Sequence, residues 1–175
     1  DLYGDQLVNL GVDSEVIESV TGIDGEQLKS LVSNNGSIYA DGGTVAMDVR
    51  TAQSLIDGVI NMSGYIQARS IAKKNGSIYL TGGNEGLVSV SGNIDATGLR
   101  TNETGGVVHV LGNRVGLYDY ARIDVSGDAG GGLVLVGGDY QGLGLIPTAV
   151  DNYVGPNVSI FADAVTGGDG GRTIF

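Results

Sequence analysis

Acidic side chains on short alternating segments are the first residues of this sequence that could carry out chemistry. Asp48, Asp95 and Asp124 each follow a buried-type apolar residue in a segment that alternates with period two. Alternation puts every second residue on one face of a strand, so we expect these carboxylates to point outward. Paired carboxylates can cleave polysaccharides. No cluster of Lys or Arg accompanies them, which favours a solvated acidic face over a catalytic pair.

Two further candidates for catalytic or metal chemistry are His109 and the glycine-rich residues 166–171. His109 is the only histidine and lies between Val108 and Val110, which predicts an ordinary outward-facing residue. Residues 166–171 read Thr-Gly-Gly-Asp-Gly-Gly and resemble part of a calcium-binding nonapeptide. Calcium sites of that kind need tandem copies, and one imperfect copy indicates a plain turn. We therefore predict no catalytic or metal residue, no cofactor and no enzyme activity.

Tyr39 and Tyr79 are the strongest candidates for ligand binding. Each ends the string Asn-Gly-Ser-Ile-Tyr, at residues 35–39 and 75–79, so we expect the two rings at matched outward positions, stacked on one face. Exposed aromatic rings can pack against the apolar faces of sugars. The alternative is a cross-strand pair that only covers the sheet.

Candidate glycosylation sites form a third group. Asn-X-Ser/Thr sequons are accepted for N-glycosylation where they lie on accessible turns. A chain rich in Asn, Ser and Thr also produces such tripeptides by chance. The five sequons begin at Asn35, Asn61, Asn75, Asn102 and Asn157.

Composition excludes several classes of protein. Gly accounts for 32 of 175 residues, far above the usual share of about 7%, yet Pro is only 2, so collagen is excluded. A hydrophobic content of 41% is too high for disorder. The net charge of −11, with scattered basic residues, argues against nucleic acid as a partner. The chain has no Cys, and no apolar stretch is long enough for membrane insertion.

Two short repeated units organise the chain. One is X-Ile-X-apolar, and the other is a glycine turn followed by alternating Val, as at residues 43–49, 86–90, 106–110 and 132–136. The matched isoleucines lie between 28 residues (Ile66 to Ile94) and 40 residues (Ile38 to Ile78) apart. Strands this short must stack to bury their apolar face, as in a solenoid. The Ile units are centred on Ile38, Ile66, Ile78, Ile94, Ile123 and Ile160.

The pattern predicts an all-β fold, a right-handed parallel β-helix with short helical or loop insertions. A sandwich or a propeller would also be all-β, but neither explains near-identical units at coil-length intervals. Residues 24–33 and 51–57 show helical spacing and are expected to be short helices or ordered loops. Residues 142–157, with Pro147 and Pro156, are expected to be an irregular loop. We predict one domain over residues 1–175, a fragment of a longer fibre.

Several short motifs, taken in order, resemble those of two-partner secretion exoproteins of the filamentous haemagglutinin type, in the β-helical passenger downstream of the secretion domain. The resemblance extends over the whole chain and depends on the order of its motifs more than on any one of them. The motifs are Asp-Leu-Tyr-Gly-Asp at residues 1–5, Leu-Val-Ser-Asn at 31–34, Gly-Ser-Ile at 36–38, Ala-Asp-Gly-Gly-Thr-Val at 40–45, Val-Ile-Asn-Met-Ser-Gly at 59–64, Gln-Ala-Arg-Ser at 67–70, Gly-Gly-Asp-Tyr-Gln-Gly at 137–142 and Gly-Gly-Asp-Gly-Gly at 167–171.

The resemblance implies a structural and adhesive role at the bacterial outer cell surface. It implies export through a dedicated outer-membrane transporter and a secreted fibre that serves adhesion, biofilm formation or cell contact, with a polysaccharide or a cell-surface receptor as partner. Binding residues do not carry over, because such proteins share a scaffold more than a site. Two alternatives stay open: a carbohydrate-active β-helix enzyme, and a module that self-associates end to end through open sheet edges.

Overall fold

A computed structural model describes residues 7–12, 30–49, 58–72, 74–143 and 145–175. These residues form three parallel sheets, and each coil of the chain contributes one strand to each sheet in turn. The structure thereby confirms the predicted parallel β-helix, and its parallel pairing excludes an antiparallel sandwich. The right-handedness of the helix stays a prediction, which rests on the strong preference of parallel crossover connections for that hand.

The three sheets are named I, II and III in the order in which the chain visits them. Sheet I contains β1 (Leu7–Val12), β4 (Thr44–Val49), β7 (Ser77–Thr81), β10 (Val107–Leu111), β13 (Leu133–Val136) and β16 (Arg172–Ile174). Sheet II contains β2 (Ser30–Asn34), β5 (Gly58–Met62), β8 (Leu87–Val90), β11 (Arg114–Leu117) and β14 (Asp151–Val154). Sheet III contains β3 (Ser37–Tyr39), β6 (Tyr65–Gln67), β9 (Asn93–Asp95), β12 (Arg122–Asp124) and β15 (Ser159–Phe161).

A column of isoleucines forms the centre of the core on the side of sheet III. The middle strand position is Ile in every coil, and the parallel register places each Ile directly on the next. Ile66, Ile94 and Ile123 are at most 1% exposed. Burying each side chain is worth about 1.5–3 kcal/mol relative to leaving it in water. The full column is Ile38, Ile66, Ile94, Ile123 and Ile160.

A second column of small residues follows two positions later, where each coil turns from sheet III towards sheet I. Ala68 and Ala96 are fully buried there, as the sequence predicts for a tight inner corner. The ladder continues through this corner, because Ala68 N–H donates to the Asp95 carbonyl and Ala96 N–H donates to the Asp124 carbonyl, both at 2.8 Å. The corner is therefore part of the hydrogen-bonded stack.

The repeated string Asn-Gly-Ser-Ile-Tyr does not mark the same point of successive coils. Ile38 lies in sheet III and pairs with Ile66, whereas Ile78 lies in sheet I and pairs with Val45 and Val108. Residues 86–90 likewise enter sheet II, while the other three glycine–valine units enter sheet I. The prediction of equivalence was wrong because an Asn-Gly turn followed by an alternating strand suits any sheet of a solenoid.

Two predicted irregular segments contain strands. Residues 30–33, inside the segment with helical spacing, belong to β2, where Val32 pairs with Ile60. Residues 151–154, inside the predicted loop, form β14 beside β11. Pairing with the neighbouring coil outweighs local propensity in both cases. The predictions for residues 24–29 and 51–57 lie outside the described residues.

The connection between β13 and β14 makes a long excursion over the outer face of sheet I. It includes a 3-10 turn at Tyr140–Gly142 and then exposes Leu143 and Leu145. Ile146 packs against a small apolar cluster that includes Leu135 and Ile174. Leu135 is 2% exposed although it pairs with the outward-facing His109. The excursion therefore covers this end of the outer face of sheet I.

Glycines directly before the strands of sheet I form a column in which the backbones of adjacent coils touch. Gly76, Gly106 and Gly132 follow one another in the ladder, since each carbonyl accepts from the residue after the next glycine. A Cβ at Gly106 would collide with the Gly76 carbonyl oxygen, and one at Gly132 would collide with the Gly106 carbonyl oxygen. Backbones approach too closely here for any side chain.

The isoleucine column gives a first prediction. Ile94→Asp should abolish the native fold, because it buries an unpaired carboxylate at the centre of the stack. Ile94→Val should cost only about 0.5–1.5 kcal/mol. Urea unfolding followed by circular dichroism distinguishes the two. A native spectrum and an unchanged melting temperature in Ile94→Asp would contradict the stacked core.

The glycine column gives a second prediction. Gly106→Ala should destabilise the protein by about 1–3 kcal/mol, since the added methyl group forces the backbone of adjacent coils apart. Gly167→Ala is the matched control: no atom lies within 4 Å of a Cβ built there, so its effect should stay within about 0.5 kcal/mol. Equal unfolding midpoints for both variants would show that close coil approach does not require Gly106.

Candidate functional site

The outer face of sheet III carries a dense group of aromatic and charged side chains. Alternation in each three-residue strand turns the first and third residues outward while Ile points inward. One outward ladder is Tyr39, Gln67, Asp95, Asp124 and Phe161. Its neighbour is Ser37, Tyr65, Asn93, Arg122 and Ser159.

Asp95 is the centre of the polar contacts on this face. Its Oδ2 accepts from Nε and Nη2 of Arg69, at 2.9 and 2.6 Å. Its Oδ1 accepts from the backbone N–H of Thr97 at 3.1 Å and from the Thr97 hydroxyl at 2.8 Å. The carboxylate is therefore fixed from both sides by groups of its own and the preceding coil.

The pKa of Asp95 reflects this environment. Burial by itself would raise the pKa, but the hydrogen bonds from Arg69 and Thr97 outweigh it and hold the pKa below the usual value. The pKa of Arg69 is raised in turn by its hydrogen bond to Asp95, against an opposing effect of burial. The pair is thus ionised throughout the physiological pH range.

Tyr65 connects the aromatic and acidic parts of the face. Its hydroxyl oxygen lies 2.8 Å from Oε1 of Gln67 and 3.0 Å from Oδ2 of Asp95, so its single proton has two acceptors within reach. Burial, and then the charge of Asp95, raise the pKa of Tyr65 to about 12. Its ring packs against that of Tyr39, with centroids 5.6 Å apart and the planes tilted by 56°.

Gln67 and Asp41 extend the contacts towards the first coil. Nε2 of Gln67 donates to both carboxylate oxygens of Asp41, at 2.9 and 2.8 Å. The backbone N–H of Arg69 also donates to Asp41, at 2.9 Å. With its amide nitrogen held in this way, Gln67 presents its carbonyl oxygen to the Tyr65 hydroxyl.

The far end of the face has a separate cluster around Arg122. Nη2 of Arg122 lies 2.6 Å from Oδ2 of Asp124. The guanidinium carbon lies 4.1 Å from the centroid of the Phe161 ring on the next coil. Stacking on the ring and pairing with the carboxylate together fix a flat, positively charged group in place.

The predicted outward carboxylates have two different locations. Asp95 and Asp124 are register partners on adjacent coils, which confirms the expectation that stacking brings two of them close. Asp48 lies on sheet I, opposite Gly11 and Thr81, away from that pair. Asp95 is paired with Arg69 and Asp124 is paired with Arg122, so the negative charge of each carboxylate is neutralised.

Tyr39 and Tyr79 do not share a face, so the prediction that they stack was wrong. Tyr39 is on sheet III beside Tyr65, and Tyr79 is on sheet I, where its ring meets His109 edge-on at 5.0 Å. The prediction failed because the two Asn-Gly-Ser-Ile-Tyr strings, although identical, enter different sheets. His109 is half-buried between coils, and burial, partly offset by Asp139, lowers its pKa.

The glycine-rich residues 166–171 lie at a turn, as predicted. Thr166 Oγ1 donates to Oδ1 of Asp128 at 2.6 Å, which links this turn to the turn of the preceding coil. Within the described residues there is no group of three or more His, Cys, Asp or Glu side chains that could hold a metal ion.

All five sequon asparagines are exposed, which satisfies the accessibility that glycosylation requires. Asn61 lies on the outer face of sheet II, and Asn75 Oδ1 accepts from the Thr104 hydroxyl at 3.3 Å. Glycosylation at these positions stays a prediction.

Several residues of the face were missed by sequence reasoning: Tyr65, Arg69, Arg122 and Phe161. A register signal for Tyr65, Arg122 and Phe161 exists in the sequence, because each flanks an isoleucine of the column and alignment of those isoleucines brings the three residues to one face. Arg69 has no such signal, since it follows the strand. Treating the Ile38 and Ile78 strings as equivalent hid that alignment for the first coil.

The three parallel sheets and the hydrogen-bonded outer face of sheet III together define a parallel β-solenoid with an ordered outer surface. No helix in the described part of the chain is long and apolar enough to cross a membrane. Searches against protein-family models, curated proteins and solved structures found no match. No family assignment follows from them, and the resemblance to the filamentous haemagglutinin type stays a prediction.

The Asp95 contacts give a third prediction. Because the folded pKa lies below the unfolded value near 3.8, the stabilisation by Asp95 is present above that value and is lost as the pH falls through the folded pKa. Asp95→Asn should therefore cost about 1–3 kcal/mol at pH 7 and much less in strong acid.

Unfolding midpoints in urea, measured from neutral to acidic pH, check this prediction. Asp169→Asn, at an exposed turn, is the control and should differ little from the wild type at any pH. A destabilisation by Asp95→Asn that is the same at all pH values would mean that the ion pair with Arg69 does not stabilise the fold.

Proposed function

We propose that the chain is a structural and adhesive β-helical segment of a secreted bacterial cell-surface protein. The observation that carries the proposal is the unbroken register of sheet III, which holds the same backbone position in line from Ser37 to Ser159. A scaffold of this kind presents side chains in fixed rows over an extended surface, as a binding fibre requires.

The electrostatics of the outer face support binding rather than catalysis. Glycoside hydrolysis by paired carboxylates needs one of them protonated, which requires a raised pKa. The pKa of Asp95 is instead lowered, because the hydrogen bonds from Arg69 and Thr97 outweigh the effect of burial. The carbohydrate-active enzyme is therefore the less favoured alternative.

The cellular setting of the proposal comes from the sequence resemblance. It comprises export by a dedicated outer-membrane transporter, an extracellular location on the outer cell surface, and a polysaccharide or cell-surface receptor as partner. The solenoid fits such an export route in physical terms, because each coil packs mainly against its neighbours and can fold as it is added.

Self-association is a second candidate function, favoured by β14. This strand lies at the end of the order of sheet II, and all four of its residues are exposed. An exposed strand edge can pair with another chain through its backbone. Sedimentation velocity over a range of concentrations would detect such association.

Co-sedimentation tests the adhesive role. We expect the purified segment to pellet with intact bacterial cells and with bacterial exopolysaccharide. Tyr39→Ala should reduce pelleting because it removes the exposed ring of the sheet III face, whereas Tyr79→Ala changes the corresponding string on sheet I and should not. No pelleting of the wild type with either target would contradict adhesion and leave the segment a spacer.

A further inference from the structure

The outer face of sheet III has accessible groups of a particular kind. Tyr39 is 48% exposed, and the side chains of Arg69 and Arg122 are each 47% exposed. The carboxylates that they accompany are largely covered, with Asp95 at 14% and Asp124 at 16%. A molecule that approaches this face therefore meets an aromatic ring and guanidinium donors before it meets carboxylates.

These groups are held in place before any ligand binds. Arg69 is fixed by two hydrogen bonds to Asp95, and Arg122 is fixed between Asp124 and the Phe161 ring. Side chains that are already ordered lose little conformational freedom on binding, which lowers the entropic cost of association.

The groups of this face form a row that extends along the solenoid axis. Tyr39 and Phe161 occupy the two ends of one outward ladder, with Gln67, Asp95 and Asp124 between them. Adjacent strands lie about 4.8 Å apart, so the four intervals span about 19 Å along the solenoid axis. Flat surfaces thus lie at both ends, with hydrogen-bonding groups between them.

The charge of the face disfavours a polyanion. Each arginine is neutralised by its own aspartate, Asp41 adds a further negative charge nearby, and the whole chain carries −11. A ligand with many negative charges would be repelled by this field. Hydroxyl groups of an uncharged sugar can accept from the guanidinium groups while the sugar ring packs on Tyr39.

We propose that the outer face of sheet III binds a neutral glycan chain, longer than a disaccharide, lying parallel to the solenoid axis from Tyr39 to the Arg122–Phe161 stack. This inference rests on the proposed adhesive function and specifies its ligand class and binding site. It places Tyr39 inside the binding site and Tyr79 outside it.

The test is a titration of the isotopically labelled segment, followed by NMR, with neutral hexasaccharides of glucose, mannose, galactose and N-acetylglucosamine. The matching disaccharides and an oligogalacturonate of equal length are titrated in parallel. We expect at least one neutral hexasaccharide to shift the amides of β6, β9 and β12 and to bind more tightly than its disaccharide. The oligogalacturonate should bind more weakly.

Three variants locate the site. Tyr39→Ala should weaken hexasaccharide binding by about tenfold, as expected for the loss of one aromatic contact. Arg122→Gln should remove the advantage of the hexasaccharide over the disaccharide, because it disrupts the far end. Tyr79→Ala, on sheet I, should bind like the wild type. The dispersion of each amide spectrum checks that the variant is folded.

Failure of this inference is distinguishable from failure of the proposed function. No binding of any neutral hexasaccharide, a preference for the oligogalacturonate, or equal losses in Tyr39→Ala and Tyr79→Ala would each overturn the inference. If the segment still pelleted with cells in such a case, adhesion would stand and its ligand would be of another class. If neither titration nor pelleting detected binding, the proposed glycan site and the proposed adhesive function would both be wrong.

Discussion

The hydrogen-bonded ladder between successive parallel coils fixes both the core of this protein and its outer faces. A three-residue strand such as Asn93–Asp95 cannot bury an apolar face alone, and it gains both backbone partners and a packing surface only from the strands above and below. Once the register is set, the isoleucines of sheet III must stack on one another. The side chains on either side of them must then form the outward ladders that contain the candidate site.

The same ladder allows the connections between strands to differ in length from coil to coil. Val107 pairs with Leu133, and Leu133 pairs with Arg172, so consecutive coils differ greatly in length while the strands stay in register. The additional residues of the longer coil include the excursion between β13 and β14, which leaves the stack and folds over sheet I. Glycines such as Gly106 are confined by contrast, because the backbones of adjacent coils meet there.

Much of the fold was predictable from local pattern, whereas the candidate site depended on alignment between coils. Period-two alternation with recurring Ile indicates the β-helix, and the alignment of Ile66, Ile94 and Ile123 also predicts that Asp95 and Asp124 are neighbours. The pairing of Tyr39 with Tyr65 could not follow from the repeated Asn-Gly-Ser-Ile-Tyr string, since that string enters two different sheets. Ion pairs such as that of Arg69 with Asp95 depend on side-chain reach across coils, which a single sequence does not specify.

The register of sheet III can be tested by a single distance measurement. The chain has no native Cys, so Ser37→Cys and Ser159→Cys introduce unique sites for spin labels at the two ends of one outward ladder. Double electron–electron resonance should give a narrow distribution centred near the four strand spacings, about 19 Å, broadened only by the label arms. A mean distance well beyond four strand spacings plus the reach of the two label arms, or several separate distances, would contradict the continuous parallel stack.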